Sequence, residues 1–353
     1  MKNVNIYITG LGFYTPLGLG KNANLDRLRS GLSGNVTLPG VKFDDYVKWS
    51  EPFKPTEFSQ VFILACQDAF FDAKLNGEEN TDKIWCIMES EVGTADCVDD
   101  YLTQLLIKKK GIISPMLFTK TVSNTALGDF SRYFKLRGPS SMMLSESSVN
   151  YAFDLILHRM TDIVICGAID IKTSEEELME HTPEANYQRV HGSGCVAVVL
   201  ESEESMRKRG VVPYAQLSFS SEKFDFQHTD SDCNLNLQLT EATIRKDLEL
   251  REDDVMLHVC STRESLNQTT QLQNIWADKP IHDVDICYPK DFTFDMLYGS
   301  TMFELAVASL SVSLGEFYRA GQRVKYEAFT KAFVSSKREG GMNSYFLLNK
   351  ITE

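Results

Sequence analysis

The sequence has no Cys-x-x-Cys pair and no grouping of cysteine with histidine, which argues against a structural zinc site and a dithiol redox motif. Its eight cysteines are scattered, mostly inside apolar runs, and read as reduced, buried small hydrophobes rather than a disulfide framework. No metal or cofactor is expected. Long apolar runs are also missing: none approaches the ~20 residues that cross a bilayer. The opening MKNVNIYITG has a strand pattern and no cleavable signal, so a cytoplasmic chain without a membrane span is expected. Positive charge is in deficit, with 36 Lys and Arg against 49 Asp and Glu for a net charge of −13, which disfavours nucleic acid or an anionic membrane as partner. The one basic cluster, KKK at 108–110, reads as a solvated loop tip. No low-complexity linker divides the 353 residues, so one compact unit with a substantial core is expected.

Strand-like and helix-like segments alternate. Val4–Thr9 reads as a strand ending in the Gly-rich turn TGLGFYTPLG, Phe58–Ala73 as an apolar helix and Ile84–Met88 as a strand. The runs DIVICGA (162–168) and CVAVVLE (195–201) are continuously apolar and β-branched, as in strands covered on both faces. After RKRG at 207–210 the rhythm restarts: strand at Tyr214–Phe219, helix at Thr240–Leu248, strand at Val255–Cys260, long helix at Met302–Leu314 and closing strand at Tyr345–Asn349. Two related α/β halves, 1–209 and 210–353, are therefore expected, with surface loops at Thr173–Asn186 and Glu222–Asn236.

The stretch LRGPSSMMLSESSVNYAFDLIL, Leu136 to Leu157, combines a Gly-Pro turn, a short apolar strand and a polar step into an amphipathic helix. Ser145 or Ser147 can cap that helix, while Ala152, Phe153, Ile156 and Leu157 recur at helical spacing. A side chain at such an entry feels the positive end of the helix, a field that suits a thiolate or an oxyanion. Ser147 stands there without an evident base.

The segment ISPMLFTKTVSNTALGDFSRYFKLRGPSSMMLSESS, Ile113 to Ser148, resembles the β-ketoacyl-acyl carrier protein synthases of the thiolase-like fold. Agreeing with it are ITGLGFYTPLG near the start, GSGCVAVVLE at 192–201, RKRG at 207–210 and GGMN at 340–343. The resemblance implies an α/β fold of two related halves in an αβαβα arrangement. It also locates three catalytic positions, all of them changed. Ser147 replaces the nucleophilic Cys, eight residues beyond Pro139; Cys260 replaces the first His, with Thr262 retained beyond it; Asp295 replaces the second. At the gate position Glu339 replaces Phe, while Lys290 and Glu304 match the family's charged pair and are expected to bond to each other.

Condensation needs a thiolate to carry the acyl chain and imidazoles to stabilise an enolate; a serine hydroxyl without a positioned base does not substitute. Glu146, beside the nucleophile position, is read as favouring the helix's positive end. A condensing fold without Cys, His and His resembles the chain length factors of type II polyketide and aryl polyene systems. That implies a heterodimer with a catalytic ketosynthase, an acyl carrier protein engaged through that partner, and Met116, Leu117 and Phe118 at the interface or acyl tunnel. Two rival readings stand beside it. One is an acyltransferase or hydrolase using Ser147 with Asp295, His258 or Glu339; the other is a homodimer that binds acyl chains without turnover.

Overall fold

A computed structural model of the protein describes residues 4–76, 81–108, 114–144, 147–171, 192–224, 254–261, 284–337 and 342–351. The strands are β1 (Ile6–Thr15), β2 (Gly18–Leu19), β3 (Ile84–Glu89), β4 (Ser140–Met143), β5 (Ile163–Asp170), β6 (Gly194–Ser202), β7 (Ala215–Phe224), β8 (Met256–Cys260), β9 (Val284–Cys287), β10 (Glu316–Phe317), β11 (Lys325–Tyr326), β12 (Lys331–Lys337) and β13 (Met342–Asn349). The helices are α1 (Lys21–Ser30), α2 (Glu57–Asp72), α3 (Ala95–Leu102), α4 (Pro115–Thr119), α5 (Thr125–Tyr133), α6 (Ser148–Leu157), α7 (Glu203–Arg209), α8 (Lys290–Thr293) and α9 (Tyr298–Leu314). The expected helix at Thr240–Leu248 and loop at Thr173–Asn186 lie outside the described residues.

The same strand order is traced twice. The sheet runs β4-β3-β5-β6-β1 and continues β7-β13-β12-β8-β9. Counted within each set of five from its outer edge strand (β4 or β9) inward, both orders read third, second, fourth, fifth, first. The senses repeat too: β3 is parallel to β4 and β5 as β8 is to β9 and β12, whereas β6 and β13 run antiparallel to their neighbours. Mixed α/β layering follows from this sheet. Alternate residues of β5 and β6 serve two different cores, Val164, Cys166, Val196 and Val198 facing one and Ile163, Ile165, Cys195 and Val199 the other. These strands therefore read as unbroken apolar runs because neither face meets water.

Helix α2 packs on one side of the first strand set with α5, and α9 packs against both β5 and β6 of the first set and β8, β12 and β13 of the second. Consistent with that central place, every α9 residue from Tyr298 to Val312 is buried. It starts four residues before the expected Met302, because its first turn is small and polar (Gly299, Ser300, Thr301) and carries no apolar period. Six of the described cysteines are likewise buried.

Two expected boundaries are corrected. β1 does not end in a turn at Thr9 but runs on through Gly10 and Gly12 to Thr15. Those glycines admit α2: a Cβ at Gly10 would lie 2.4 Å from the Ala69 carbonyl oxygen and one at Gly12 2.0 Å from that of Ala65. Where β1 leaves β7, its Leu11 and Phe13 N–H groups donate instead to Asp72 and Asp68 of α2. β7, for its part, runs to Phe224 where a loop was expected from Glu222, because β13 pairs along its full length.

Gly12→Ala should therefore cost ~3 kcal/mol or more, the range of severe overpacking. Gly128→Ala, in α5 with nothing within 4 Å of the added Cβ, should stabilise by ~0.5–1 kcal/mol through helix propensity. Urea unfolding of the two variants checks both signs.

Candidate functional site

Parallel β3 and β4 direct their carboxyl ends toward the start of α6, the place where open α/β sheets gather ligands and catalytic groups. Ser147 occupies the N-cap of α6 with an extended backbone (φ −73°, ψ 125°). Its hydroxyl makes no capping bond, in contrast to the cap expected from the sequence. The Oγ is buried and has no hydrogen-bond partner among the described residues. The helix end is held by carboxylates instead. Ser147 N–H donates to both oxygens of Glu222, at 3.0 and 3.1 Å, and Ser148 N–H donates to Glu89 Oε2 at 2.6 Å. Glu89 ends β3 of the first strand set; Glu222 lies on β7 of the second, where its register partner Ser344 on β13 donates to Oε1 at 3.2 Å. Carboxyl acceptors suit a positive helix end, and in their ionised form both oppose formation of a thiolate or enolate at the same spot.

Asp295 is a clasp. Its Oδ2 accepts from Lys290 Nζ at 2.8 Å; its Oδ1 accepts from Leu297 N–H at 3.0 Å and Ser300 Oγ at 3.1 Å. Its carbonyl oxygen accepts from Gly192 N–H at 2.7 Å. The segment so held is strained on both sides, since Phe294 (φ 60°, ψ −169°) and Leu297 (φ 51°, ψ −120°) adopt backbone conformations that non-glycine residues avoid at ~1–3 kcal/mol each. The expected Lys290–Glu304 ion pair is accordingly corrected: the nearer Asp295 takes Lys290. Glu304, buried in α9, accepts from Ser261 Oγ at 3.1 Å, in a hydroxyl network that continues through Ser336 to Thr301. Burial raises the Glu304 carboxyl to about 7, against the pull of the Lys290 charge and of the Ser336 and Ser261 hydroxyls.

His258 and Cys260 share a face of β8, as alternation requires, and both meet Ser335 of the adjacent β12. His258 Nε2 lies 2.8 Å from Ser335 Oγ, which in turn lies 3.8 Å from Cys260 Sγ. His258 also stacks at a tilt against Phe333, which makes it a packed, hydrogen-bonded core residue. Among the described residues no hydrogen bond from Cys260, Asp295 or His258 reaches the Ser147 hydroxyl. Glu339, Glu146 and Thr262 lie outside the described residues. Met116 and Leu117 are half-buried on α4, and Phe118 is 56% exposed with its ring 5.7 Å from that of Tyr101 on α3.

Three residues escaped the sequence reading. Glu89 and Glu222 sit at the ends of apolar or alternating strands and carry no motif. Asp170, at the end of β5, accepts from Ser90 Oγ and from the N–H groups of Glu91, Val92 and Tyr298, tying the loop after β3 to the start of α9. Its burial pushes the carboxyl up to about 7 despite those four donors. Among the described residues no group of three or more metal-ligating side chains forms, and no helix is long and apolar enough to cross a membrane.

A carboxyl raised in the folded state binds a proton that the unfolded chain releases, so its contribution to stability falls as pH rises from the unfolded value toward the folded one. For Glu304 that window runs from about 4.5 to about 7. The stability of Glu304→Gln minus that of the wild type should therefore increase across this window and level off above it, as read from urea midpoints at intervals between pH 4.5 and 8.

No protein-family model matches the chain. Among curated proteins, the 3-oxoacyl-[acyl-carrier-protein] synthase 2 of Staphylococcus aureus (strain MRSA252) is 23% identical over 256 residues, covering 61% of this chain and 62% of that protein. The Vibrio cholerae protein of the same name is 22% identical over 258 residues, covering 62% of each. The chain thus spans somewhat under two thirds of the length of the curated relatives it matches. Among solved structures, an ishigamide ketosynthase/chain length factor aligns with a TM-score of 0.81 at 16% identity, over 99% of this chain and 100% of that one. A β-ketoacyl synthase from Burkholderia phymatum aligns with a TM-score of 0.80 at 14% identity, again over 99% and 100%. A type II polyketide synthase acyl-carrier protein in complex with its ketosynthase bound to the hexaketide gives 0.78 at 16%, with the same coverage. Their fold is the one described above, so the chain has the thiolase-like fold of these ketosynthases and is similar in sequence to 3-oxoacyl-[acyl-carrier-protein] synthases.

Proposed function

We propose that the chain is a non-catalytic, chain-length-factor-like subunit that pairs with an active β-ketoacyl-ACP synthase and shapes the acyl tunnel of the pair. The product would be polyketide, aryl polyene or fatty-acid-like. One observation carries this reading: the Ser147 hydroxyl is buried without a hydrogen-bond partner among the described residues, while Asp295, at a position where the family places an imidazole, is bound to Lys290. A serine nucleophile needs a base within hydrogen-bond reach, and none of the expected candidates with a described side chain supplies one. The units 1–209 and 210–353 are proposed as its related halves, on the ground of the repeated strand order.

Support for a partner comes from the surface. Helix α3, the π-helical turn Thr103–Ile107 that continues it, and α4 expose Leu106 (63%), Ile107 (75%) and Phe118 (56%), more apolar surface than a short segment of an isolated domain ordinarily leaves to water. Solved relatives are described as a ketosynthase/chain length factor and as a ketosynthase in complex with an acyl-carrier protein. By analogy, the carrier protein would be engaged through the catalytic partner.

Incubation of the isolated chain with acyl- and malonyl-carrier protein should leave its intact mass unchanged and release no carbon dioxide. Stoichiometric acylation at Ser147 would instead establish the acyltransferase or hydrolase reading. Co-expression with a ketosynthase from the same cell should give a one-to-one complex burying ~2,000 Å² or more; a homodimer indifferent to every such partner would refute it. In that complex Phe118→Ala should shift products to longer chains. Weakened assembly by a few kcal/mol, with product length unchanged, would make Phe118 an interface residue only.

A further inference from the structure

The α6 entry takes its acceptors from two carboxylates on other strands and none from its own cap residue. Ser148 N–H already has Glu89 at 2.6 Å, and the Ser147 hydroxyl, the group that ordinarily caps from this position, is unused. Glu222 nevertheless crosses from the second strand set and places both carboxylate oxygens on Ser147 N–H, steadied by Ser344. In acyl transfer the nucleophile's own N–H is a natural donor to the oxygen that becomes negative when the carbonyl is attacked. A carboxylate oxygen at 3.0 Å from that N–H stands where an acyl carbonyl oxygen would sit.

We infer that Glu222 is a built-in plug: its carboxylate occupies the oxyanion position of the degenerate site and prevents an acyl carbonyl from docking at residue 147. This rests on the non-catalytic reading and deepens it. The site is closed by an internal ligand as well as deprived of its reagents, so restoring the thiol alone does not restore acyl transfer.

Two reactions at an installed thiol separate occupancy from charge. In thioester exchange with octanoyl-N-acetylcysteamine the thiolate attacks the carbonyl carbon and forms a new C–S bond. The old C–S bond breaks, and N-acetylcysteamine leaves as a thiolate that takes up a proton. This reaction passes through an oxyanion. Alkylation by iodoacetamide, with iodide leaving, does not. Rates at residue 147 are read by peptide mass in Ser147→Cys, Ser147→Cys/Glu222→Gln and Ser147→Cys/Glu222→Ala. Glu222→Thr serves as a second shortening that suits a strand.

The Gln variant removes the charge but leaves an amide in place, so it should speed both reactions by a similar factor. The Ala and Thr variants should speed thioester exchange at least ten-fold more than they speed alkylation. Equal factors for the two reactions in the shortened variants overturn the plug, as does a Gln variant that matches Ala in thioester exchange, or no acceleration at all. None of these outcomes depends on whether wild-type Ser147 is acylated, the result that decides the non-catalytic reading itself.

Discussion

The structure depends on keeping α9 dry around its entire circumference. A helix buried from Tyr298 to Val312 has no face to give to water, so it requires strands on both sides, and the two five-strand sets supply them. The same burial sets the terms for every polar group nearby. Glu304 keeps a place inside only by sharing protons with Ser261 and Ser336 and by holding its own proton more tightly than a solvated carboxyl does. Asp170 reaches the start of the helix under the same pressure and answers it with four donors.

Under the proposed function, the chemistry at the end of this frame has changed sign. Condensing enzymes prepare for a thiolate and an enolate, both negative, with imidazoles and open backbone donors. Here three carboxylates, Glu89, Glu222 and Asp295, are each already committed: two to the α6 entry and one to Lys290 and the strained turn. In a low-dielectric interior ionised carboxylates here would repel the anionic intermediates of condensation. On the proposed non-catalytic reading, the scaffold is kept while the electrostatics of the site are inverted.

Much of the frame was legible in the sequence because it is written locally. The unbroken apolar runs of β5 and β6, the α2 helix and the helix entry after Ser147 all follow from period and composition. The Gly-rich start misled, because Gly10 and Gly12 permit a helix to approach a continuing strand, and a sequence does not say whether a glycine serves a turn or a contact. The charged pair misled for a different reason. The resemblance pointed to Lys290 and Glu304, but Asp295 places a carboxylate only five residues from the lysine and captures it. Glu222 was read as the start of a loop. Its partner N–H is 75 residues away, and no local pattern encodes a contact of that separation.

The pair of carboxylates on α6 has a consequence for how the chain comes together. Glu89 belongs to the first strand set and Glu222 to the second, yet they grip adjacent N–H groups of one helix. During synthesis, α6 and its own sheet emerge before β7, with one of these two grips still missing. The helix entry is completed only when a later strand docks across it. The seam between the sets is thus also a checkpoint of assembly: beside the β1–β7 pairing and α9, one of the contacts that fasten the two sets is the same carboxylate that rests on residue 147, and an opening of the seam there frees that residue.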